Sequence, residues 1–152
     1  LVDVGFGGGF PILPLAKSLP GVKFFGFEAR AKKATVVSQI ADRLEIKNVK
    51  LMHQMLESVF FDEELVVTFK AVGKIDEYLS MINTNKKLRV YFYKGPNYSE
   101  LENLDKVKKS WDLIEEIKYD LPGTDGRSLL CFENKIVPRG TEKNKIKFSS
   151  LL

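Results

Sequence analysis

Short apolar runs alternate with amphipathic stretches along most of the 152-residue chain. Apolar runs of roughly four to eight residues are typical of buried strands, and apolar positions three or four apart are typical of helices. The runs predict parallel strands at Leu1–Val4, Val22–Phe27, Val49–Met52, Leu65–Phe69 and Leu88–Tyr93. The helical spacing predicts helices at Pro11–Leu19, Ala31–Leu44, Ile75–Ile82 and Tyr98–Lys109. This alternation indicates an α/β fold with a mostly parallel sheet.

Two more strands are predicted near the end of the chain. Trp111–Tyr119 and Arg127–Glu133 flank a segment rich in glycine, proline and aspartate at 121–126. Such residues form tight turns, so we expect a C-terminal antiparallel hairpin that closes one edge of the sheet. We also expect the second helix to bury one apolar side. That side consists of Val36, Val37, Ile40 and Leu44.

The charge of the chain is unevenly distributed. The formal net charge is +4, from 24 basic and 20 acidic residues, but residues 1–133 carry 19 of each. The excess therefore lies in 134–152. Its basic residues are Lys135, Arg139, Lys143, Lys145 and Lys147. We predict a folded domain over 1–133 and a basic, weakly structured tail over 134–152, with one short strand at Lys145–Phe148.

Several classes of protein are excluded by composition. Cys131 is the single cysteine and His53 the single histidine, which excludes a disulfide framework, a cysteine zinc cluster and a multi-histidine metal site. No apolar run approaches the roughly 18 residues of a membrane span. We therefore expect no metal and no membrane. The first residues, Leu1–Val4, read as a strand without a preceding Met, so we expect a fragment of a longer protein.

A glycine-rich segment, Asp3–Gly9, follows the first predicted strand and opens a helix. The dinucleotide pattern G-x-G-x-x-G fails, because Phe10 occupies the position of its third glycine. The pattern D-x-G-x-G-x-G fits instead, through Asp3, Gly5, Gly7 and Gly9. It is typical of S-adenosylmethionine sites, and Glu28 after the second strand suits the two ribose hydroxyls. A turn without ligand, and a different nucleotide, remain alternatives.

The glycine segment continues into Phe10-Pro11 and Leu13-Pro14-Leu15-Ala16, which is more specific than the glycines alone. Further motifs follow at Glu28–Lys33, Leu44–Val49, Thr68–Val72, Tyr93–Gly95 and Leu121–Ser128. With these motifs, residues 1–135 resemble the RsmG family, also called GidB, of small-subunit ribosomal RNA guanine-N7 methyltransferases. The resemblance implies a Rossmann-like methyltransferase fold.

The resemblance also implies roles for individual residues. The implied S-adenosylmethionine contacts are Asp3, Gly5, Gly7, Gly9, Phe10, Glu28, Leu56, Glu57 and Lys70. Lys70 and Lys94, at the carboxyl ends of predicted strands, are the candidates for a catalytic role, and Lys94 and Arg127 for RNA contact. The implied partner is 16S ribosomal RNA or the small ribosomal subunit, in the cytoplasm, with the protein a monomer. The tail is then an auxiliary arm, whose removal should weaken RNA binding and leave cofactor binding unchanged.

The chain departs from the family pattern in three places. Lys70 stands where the family has arginine, and Arg127-Ser128 where it has Arg-His. The family's N-terminal helical region is absent from this sequence.

The implied chemistry needs no catalytic base. Guanine N7 already carries a free lone pair, so methyl transfer mainly requires alignment of the reactants. Methylation of an exocyclic amine usually shows an N/D-P-P-Y/F motif after the fourth strand, and that motif is absent at Thr68–Ala71. Methylation of cytosine C5 needs a cysteine nucleophile, and Cys131 lies far from the expected ligand edge. Two alternatives remain open: an NAD(P)-binding oxidoreductase, and a non-catalytic module that binds cofactor or RNA.

Overall fold

The computed structural model describes residues 1–135 and 140–152 of the chain. Within them the strands are β1 (Val2–Val4), β2 (Phe24–Glu28), β3 (Val49–His53), β4 (Val59–Phe61), β5 (Leu65–Lys70), β6 (Asn83–Thr84), β7 (Leu88–Lys94), β8 (Trp111–Tyr119), β9 (Arg127–Asn134) and β10 (Ile146–Lys147). The α-helices are α1 (Ile12–Ser18), α2 (Ala31–Arg43), α3 (Ile75–Met81) and α4 (Tyr98–Leu101). Short 3₁₀ helices cover Leu56–Ser58, Leu104–Lys106 and Phe148–Leu151.

Seven strands form the main sheet, in the order β3-β2-β1-β5-β7-β9-β8. The first five pair in parallel, and β9 pairs antiparallel with both β7 and β8. This confirms the predicted α/β fold, with a mostly parallel sheet closed by a C-terminal hairpin. The order reverses beside β1, so the carboxyl ends of β1, β2 and β5 meet at the edge where such sheets bind ligands.

The apolar core lies on both faces of this sheet. Phe24 of β2 joins the cluster under α1 and α2, whereas its neighbour Phe25 joins a larger cluster on the opposite face. In that larger cluster the rings of Phe69 and Phe92 stack with centroids 4.7 Å apart. Because both faces are covered, the central strands are continuous apolar runs rather than alternating ones.

The buried side of α2 differs from the predicted one. Val37 is buried as expected, but it packs with the small residues Ala34 and Ala41. The other three predicted positions are exposed, at 46% for Val36, 38% for Ile40 and 51% for Leu44. Small side chains let the helix approach the sheet closely, so the narrow alanine side faces inward.

The predicted polar helix over Tyr98–Lys109 is wrong in extent. The α-helix ends after Leu101, and only a 3₁₀ turn follows. Glu102 takes an extended backbone with ψ 137°, and its carboxylate accepts a hydrogen bond from the Ile75 amide at 2.9 Å. The helix ends because this side chain is used for a tertiary contact.

The sequence analysis also missed a second sheet. Residues 55–61, for which the apolar pattern predicts no strand, contain a 3₁₀ turn and strand β4. This strand lies between β10 and β6 in a small parallel sheet. Strands of two or three residues give almost no periodic signal, which is why the pattern did not reveal them.

The prediction of a weakly structured tail is wrong for its last residues. Ile146–Lys147 forms β10 where the short strand was predicted, and Phe148 after it is 3% exposed. The Phe148 ring lies 5.2 Å from that of Phe25 and 5.8 Å from that of Phe61, centroid to centroid. This aromatic residue is the physical reason, because burying it in the core stabilises the segment.

The basic residues of the predicted tail are also partly engaged. Lys145 Nζ donates to the Glu57 carbonyl at 2.7 Å, and Lys147 pairs with Glu142 at 2.8 Å. Strand β9 runs through Asn134, the first residue assigned to the tail. Arg139 lies outside the described residues. The segment is therefore not a separable arm, and removing it would take core contacts with it.

No helix among the described residues is long and apolar enough to cross a membrane.

Candidate functional site

The glycine loop lies at the carboxyl end of β1. The Gly5 amide donates to the Phe27 carbonyl at 2.8 Å, which ties the loop to β2. Gly9 has φ +91°, and a Cβ there would lie 2.8 Å from Leu13 Cδ1 and 3.0 Å from Val37 Cγ1. A side chain at Gly9 would therefore be strained and crowded. Glycine here lets the loop pack tightly against both helices and keeps its amides at the sheet edge.

Glu28 ends β2 and joins the loop to the next turn. Its side chain is buried, and its two oxygens accept hydrogen bonds from the Gly7 amide at 3.1 Å and the Arg30 amide at 3.0 Å. A carboxylate oxygen can accept more than one hydrogen bond, so each retains capacity for a ligand hydroxyl. Glu28 thus fixes the loop and presents acceptors at the same edge.

Asp3 is the most perturbed acid of the site. It is 2% exposed, and its Oδ1 accepts from Thr68 Oγ1 at 2.6 Å. Among the described residues, Oδ2 has no hydrogen-bond partner. Burial raises the pKa of Asp3 to about 6, although the Thr68 hydrogen bond and the charge of Lys70 oppose the shift. A buried carboxyl oxygen without a partner is costly and is typical of a binding site that awaits a cation or donor.

A pocket of about 240 Å³ opens beside this loop. It brings together four of the predicted cofactor residues, Gly5, Glu28, Leu56 and Glu57. Gly7 lies beside the pocket, because its amide donates a hydrogen bond to the lining residue Glu28. Phe10, by contrast, is 67% exposed and does not appear among the described lining residues.

Sequence reasoning missed other residues of this pocket. They are Val4, Phe27, Ala29, Gln54, Met55, Tyr78 and Met81. Gln54 and Met55 follow β3 just as Glu28 ends β2, so the rule that ligands bind at carboxyl ends of parallel strands could have found them. Tyr78 and Met81 come from α3, and no pattern in the sequence marks that side of the helix.

Lys70 ends β5 next to the glycine loop. It is exposed, and its charge acts on the Asp3 carboxyl. The following residue, Ala71, has φ +54°, a conformation rarely taken by residues with a side chain. The next, Val72, reaches the loop, because a Cβ on Gly5 would lie 3.0 Å from its Cγ1. The segment after β5 therefore packs directly on the glycine loop.

Lys94 lies at the end of β7, but its charge is already paired. Its Nζ lies 2.6 Å from Glu102 Oε1 and donates to the Gly73 carbonyl at 3.0 Å. The side chains are 13% and 6% exposed. Since Glu102 also accepts from the Ile75 amide, the pair fixes the end of the β5–α3 segment where the chain enters α3. Lys94 therefore acts on the site indirectly, by holding this segment in place.

Replacing Lys94 by methionine is expected to lower the free energy of unfolding by about 3 kcal/mol, because Glu102 would remain buried without its partner. Urea denaturation of the two proteins measures this difference. Lys108→Met is the matched control, since Lys108 also pairs at 2.6 Å, with Asp105, but both side chains are over 70% exposed. Equal stability losses in the two variants would contradict the assigned role.

Arg127 lies apart from the cofactor pocket, at the start of β9. Its guanidinium donates to the carbonyls of Asp125 at 2.7 Å and Gly126 at 3.2 Å. These bonds hold the positive charge at the turn of the hairpin. The structure therefore does not bring Arg127 together with Asp3 and Glu28.

Within residues 1–135 and 140–152, no cluster of three or more His, Cys, Asp or Glu side chains could hold a metal ion.

Comparison with known proteins identifies the family. A family model described as GidB, rRNA small subunit methyltransferase G, matches residues 1–130. A protein of that name from Flavobacterium johnsoniae is 36% identical over 122 residues, covering 80% of this chain and 54% of the relative. One from Malacoplasma penetrans is 27% identical over 155 residues, covering 91% and 64%. The chain thus spans about half to two thirds of the length of these relatives.

Solved structures share the fold. Magnesium protoporphyrin IX methyltransferase from Synechocystis, determined with bound SAH, superposes with a TM-score of 0.63 at 14% identity, covering 87% of this chain and 72% of that one. A SAM-dependent methyltransferase from Aquifex aeolicus gives 0.61 at 13% identity, covering 87% and 80%. At such low identity the likeness concerns the Rossmann-like fold alone. The family match covers most of the sequence, and the chain belongs to the GidB family, rRNA small subunit methyltransferase G.

Proposed function

We propose that the protein transfers a methyl group from S-adenosylmethionine to N7 of a guanine in 16S ribosomal RNA. The observation that carries the proposal is the arrangement of two buried acids around the glycine loop. Asp3 lies one residue before the end of β1, Glu28 ends the adjacent strand β2, and the Gly7 amide of the loop donates to Glu28. Family membership supports the same activity.

The residues in the pocket wall and beside it fit this cofactor, although Asp3 itself is not among the described lining residues. The unpartnered Oδ2 of Asp3 suits the cationic part of the methionine moiety, and the Glu28 oxygens suit the ribose hydroxyls. Leu56 and Glu57, in the pocket wall, would contact the adenine. Phe10, Gly9 and Lys70 belong to the same proposal, with Lys70 near enough to Asp3 to meet the cofactor carboxylate or an RNA phosphate.

When bound, S-adenosylmethionine supplies an electrophilic methyl group and its own leaving group. The chain's residues then have mainly to orient the reactants, because guanine N7 has no proton to remove. The glycine loop and Glu28 fix the adenosine end, and Asp3 fixes the methionine end. Val72 packs closely on Gly5, so the segment after β5 and the glycine loop support each other.

The RNA contacts are proposed from charge and position. Lys70 is exposed at the ligand edge, and Arg127 holds its charge at the hairpin turn. Lys94 takes part as a positioning residue, through its bond to Gly73. The partner would be the small ribosomal subunit or its RNA in the cytoplasm, with a monomeric enzyme. A nicotinamide-dependent oxidoreductase and a non-catalytic module receive no support from the family match.

Isothermal titration calorimetry with S-adenosylmethionine and its demethylated product tests the cofactor site. We expect one site per chain, and loss of binding in Glu28→Ala, while Glu45→Ala, in the turn that follows α2, binds normally. Transfer of labelled methyl to small subunits and to naked 16S RNA then tests the reaction. Absence of cofactor binding by a folded sample, made with any residues preceding Leu1 in the gene product, would contradict the proposal.

A further inference from the structure

A second pocket lies at the same edge of the sheet, between the hairpin and the residues that follow β7. It has a volume of about 380 Å³ and is called here the hairpin pocket. Its walls include Pro96, Tyr98, Glu116, Tyr119, Arg127 and Ser128. The volume lies within the roughly 300–1,000 Å³ typical of small-ligand sites. None of the cofactor contacts proposed above lines this pocket within the described residues.

The hairpin pocket contains a carboxylate held in a fixed orientation. Glu116 Oε1 accepts from Ser128 Oγ at 3.1 Å, and the carboxylate also pairs with the hydroxyl of Tyr98. Burial and this hydrogen bond raise the pKa of Tyr98, so its hydroxyl stays a donor. The Glu116 side chain is 28% exposed, and Lys118 Nζ lies 3.9 Å away on a side chain that is 79% exposed. Glu116 is therefore oriented but not neutralised by a close ion pair.

Two tyrosines and an arginine among the other lining residues suit a flat aromatic ligand that carries a phosphate. Tyr98 and Tyr119 offer ring surfaces, which stack on nucleic-acid bases. Arg127 also lines the pocket, and its guanidinium is held by the loop carbonyls. An arginine fixed in this way can bind a phosphate without further ordering.

The hairpin pocket is linked to the cofactor site through Tyr93. This residue of β7 pairs with Lys70 on one side and with Leu129 on the other. Burial raises the pKa of Tyr93, and the Asp3 carboxyl and the Tyr119 phenol raise it further. Asp3 belongs to the cofactor site and Tyr119 to the hairpin pocket, so both sites lie within electrostatic range of one side chain.

We infer that the hairpin pocket holds the target guanine of the RNA, with the Glu116 carboxylate accepting hydrogen bonds from guanine N1–H and its exocyclic amino group. This inference rests on the proposed function. Guanine presents these two donors side by side, whereas neutral adenine has an acceptor at N1, which a carboxylate repels. N7 lies on the opposite edge of the base, so holding the N1 edge leaves N7 free for the methyl group.

The test compares two short single-stranded RNAs that differ at one position. One carries a single guanosine among adenosines and uridines, and the other carries inosine there, which lacks the amino group. Fluorescence anisotropy measures their affinity for the full chain. We expect wild type to prefer guanosine about tenfold, the value of one hydrogen bond. Glu116→Gln should bind guanosine RNA about tenfold more weakly than wild type, with little preference between the two RNAs.

Glu115→Gln is the matched control, because Glu115 is adjacent to Glu116 in β8 but does not line the hairpin pocket within the described residues. It should keep the wild-type preference. Circular dichroism and cofactor titration check that both variants are folded. Equal affinities of wild type for the two RNAs, or a preference that survives Glu116→Gln, would overturn the inference.

The outcome for the proposed function is separate. If wild type transfers methyl groups but shows no preference for guanosine, the proposed reaction is supported and the role of the hairpin pocket is contradicted. If the guanosine preference depends on Glu116 but no RNA is methylated, base binding in the pocket is supported and the proposed reaction is contradicted.

Discussion

Replacing Phe148 by alanine is expected to lower the free energy of unfolding by about 3–5 kcal/mol, enough to unfold a marginal domain. The side chain is 3% exposed and contacts rings from the main sheet and the small sheet. Its removal would leave a cavity between them. Thermal and urea denaturation measure the loss, with the change in midpoint compared at constant m-value.

The matched control for Phe148 is Leu152→Ala, because Leu152 is 64% exposed and its truncation should change stability very little. Phe148→Leu should recover much of the loss, since it restores apolar volume. If Phe148→Ala were as stable as wild type, the final segment would be a detachable tail. Deletion of 134–152 would then leave cofactor binding unchanged, as first expected from the charge pattern.

Replacing Asp3 by asparagine is expected to stabilise the protein near neutral pH while weakening cofactor binding. The folded pKa of about 6 exceeds the ordinary value of 3.8, so the folded state binds the proton more tightly than the unfolded chain. Ionisation of Asp3 therefore costs stability as pH rises from about 4 to 6, by up to about 3 kcal/mol. Asparagine removes this cost and can still accept the Thr68 hydrogen bond.

The difference in stability between the Asp3→Asn variant and wild type should depend on pH. The variant should be more stable above about pH 6 and of similar stability near pH 4. Its affinity for S-adenosylmethionine should fall at least tenfold, and wild-type affinity should weaken as pH falls through 6. Urea denaturation and calorimetry measure the two effects. Asp42→Asn, at an exposed position of α2, is the control, and a destabilised Asp3→Asn at neutral pH would contradict the argument.

Much of the fold was predictable because the signal was local. Buried parallel strands are apolar over their whole length, and β1, β2, β3, β5 and β7 were located to within about two residues at each end. The hairpin was predictable for the same reason. The small sheet, the short α4 and the docking of Phe148 depend on contacts between residues far apart in the chain, which periodicity does not record.

The geometry of the candidate site was predictable where a residue type is tied to a backbone position. The glycines and Glu28 are examples, because they lie at strand ends where the turn or the expected ligand contact restricts the residue type. Lys94 shows the limit of such reasoning. Its position at the end of β7 was predicted correctly, but its pairing with Glu102 depends on where the chain turns after α4. Sequence position alone could not distinguish a free lysine from a paired one.

The placement of Phe148 has a consequence for synthesis on the ribosome. Phe25, Phe27 and Phe61 emerge long before Phe148, and until it arrives their rings lack the partner that covers them. A nascent chain that exposes such an aromatic surface is prone to aggregation or chaperone binding. Completion of this side of the core is therefore delayed until the final segment has left the exit tunnel, and slow translation of that segment would prolong the vulnerable interval.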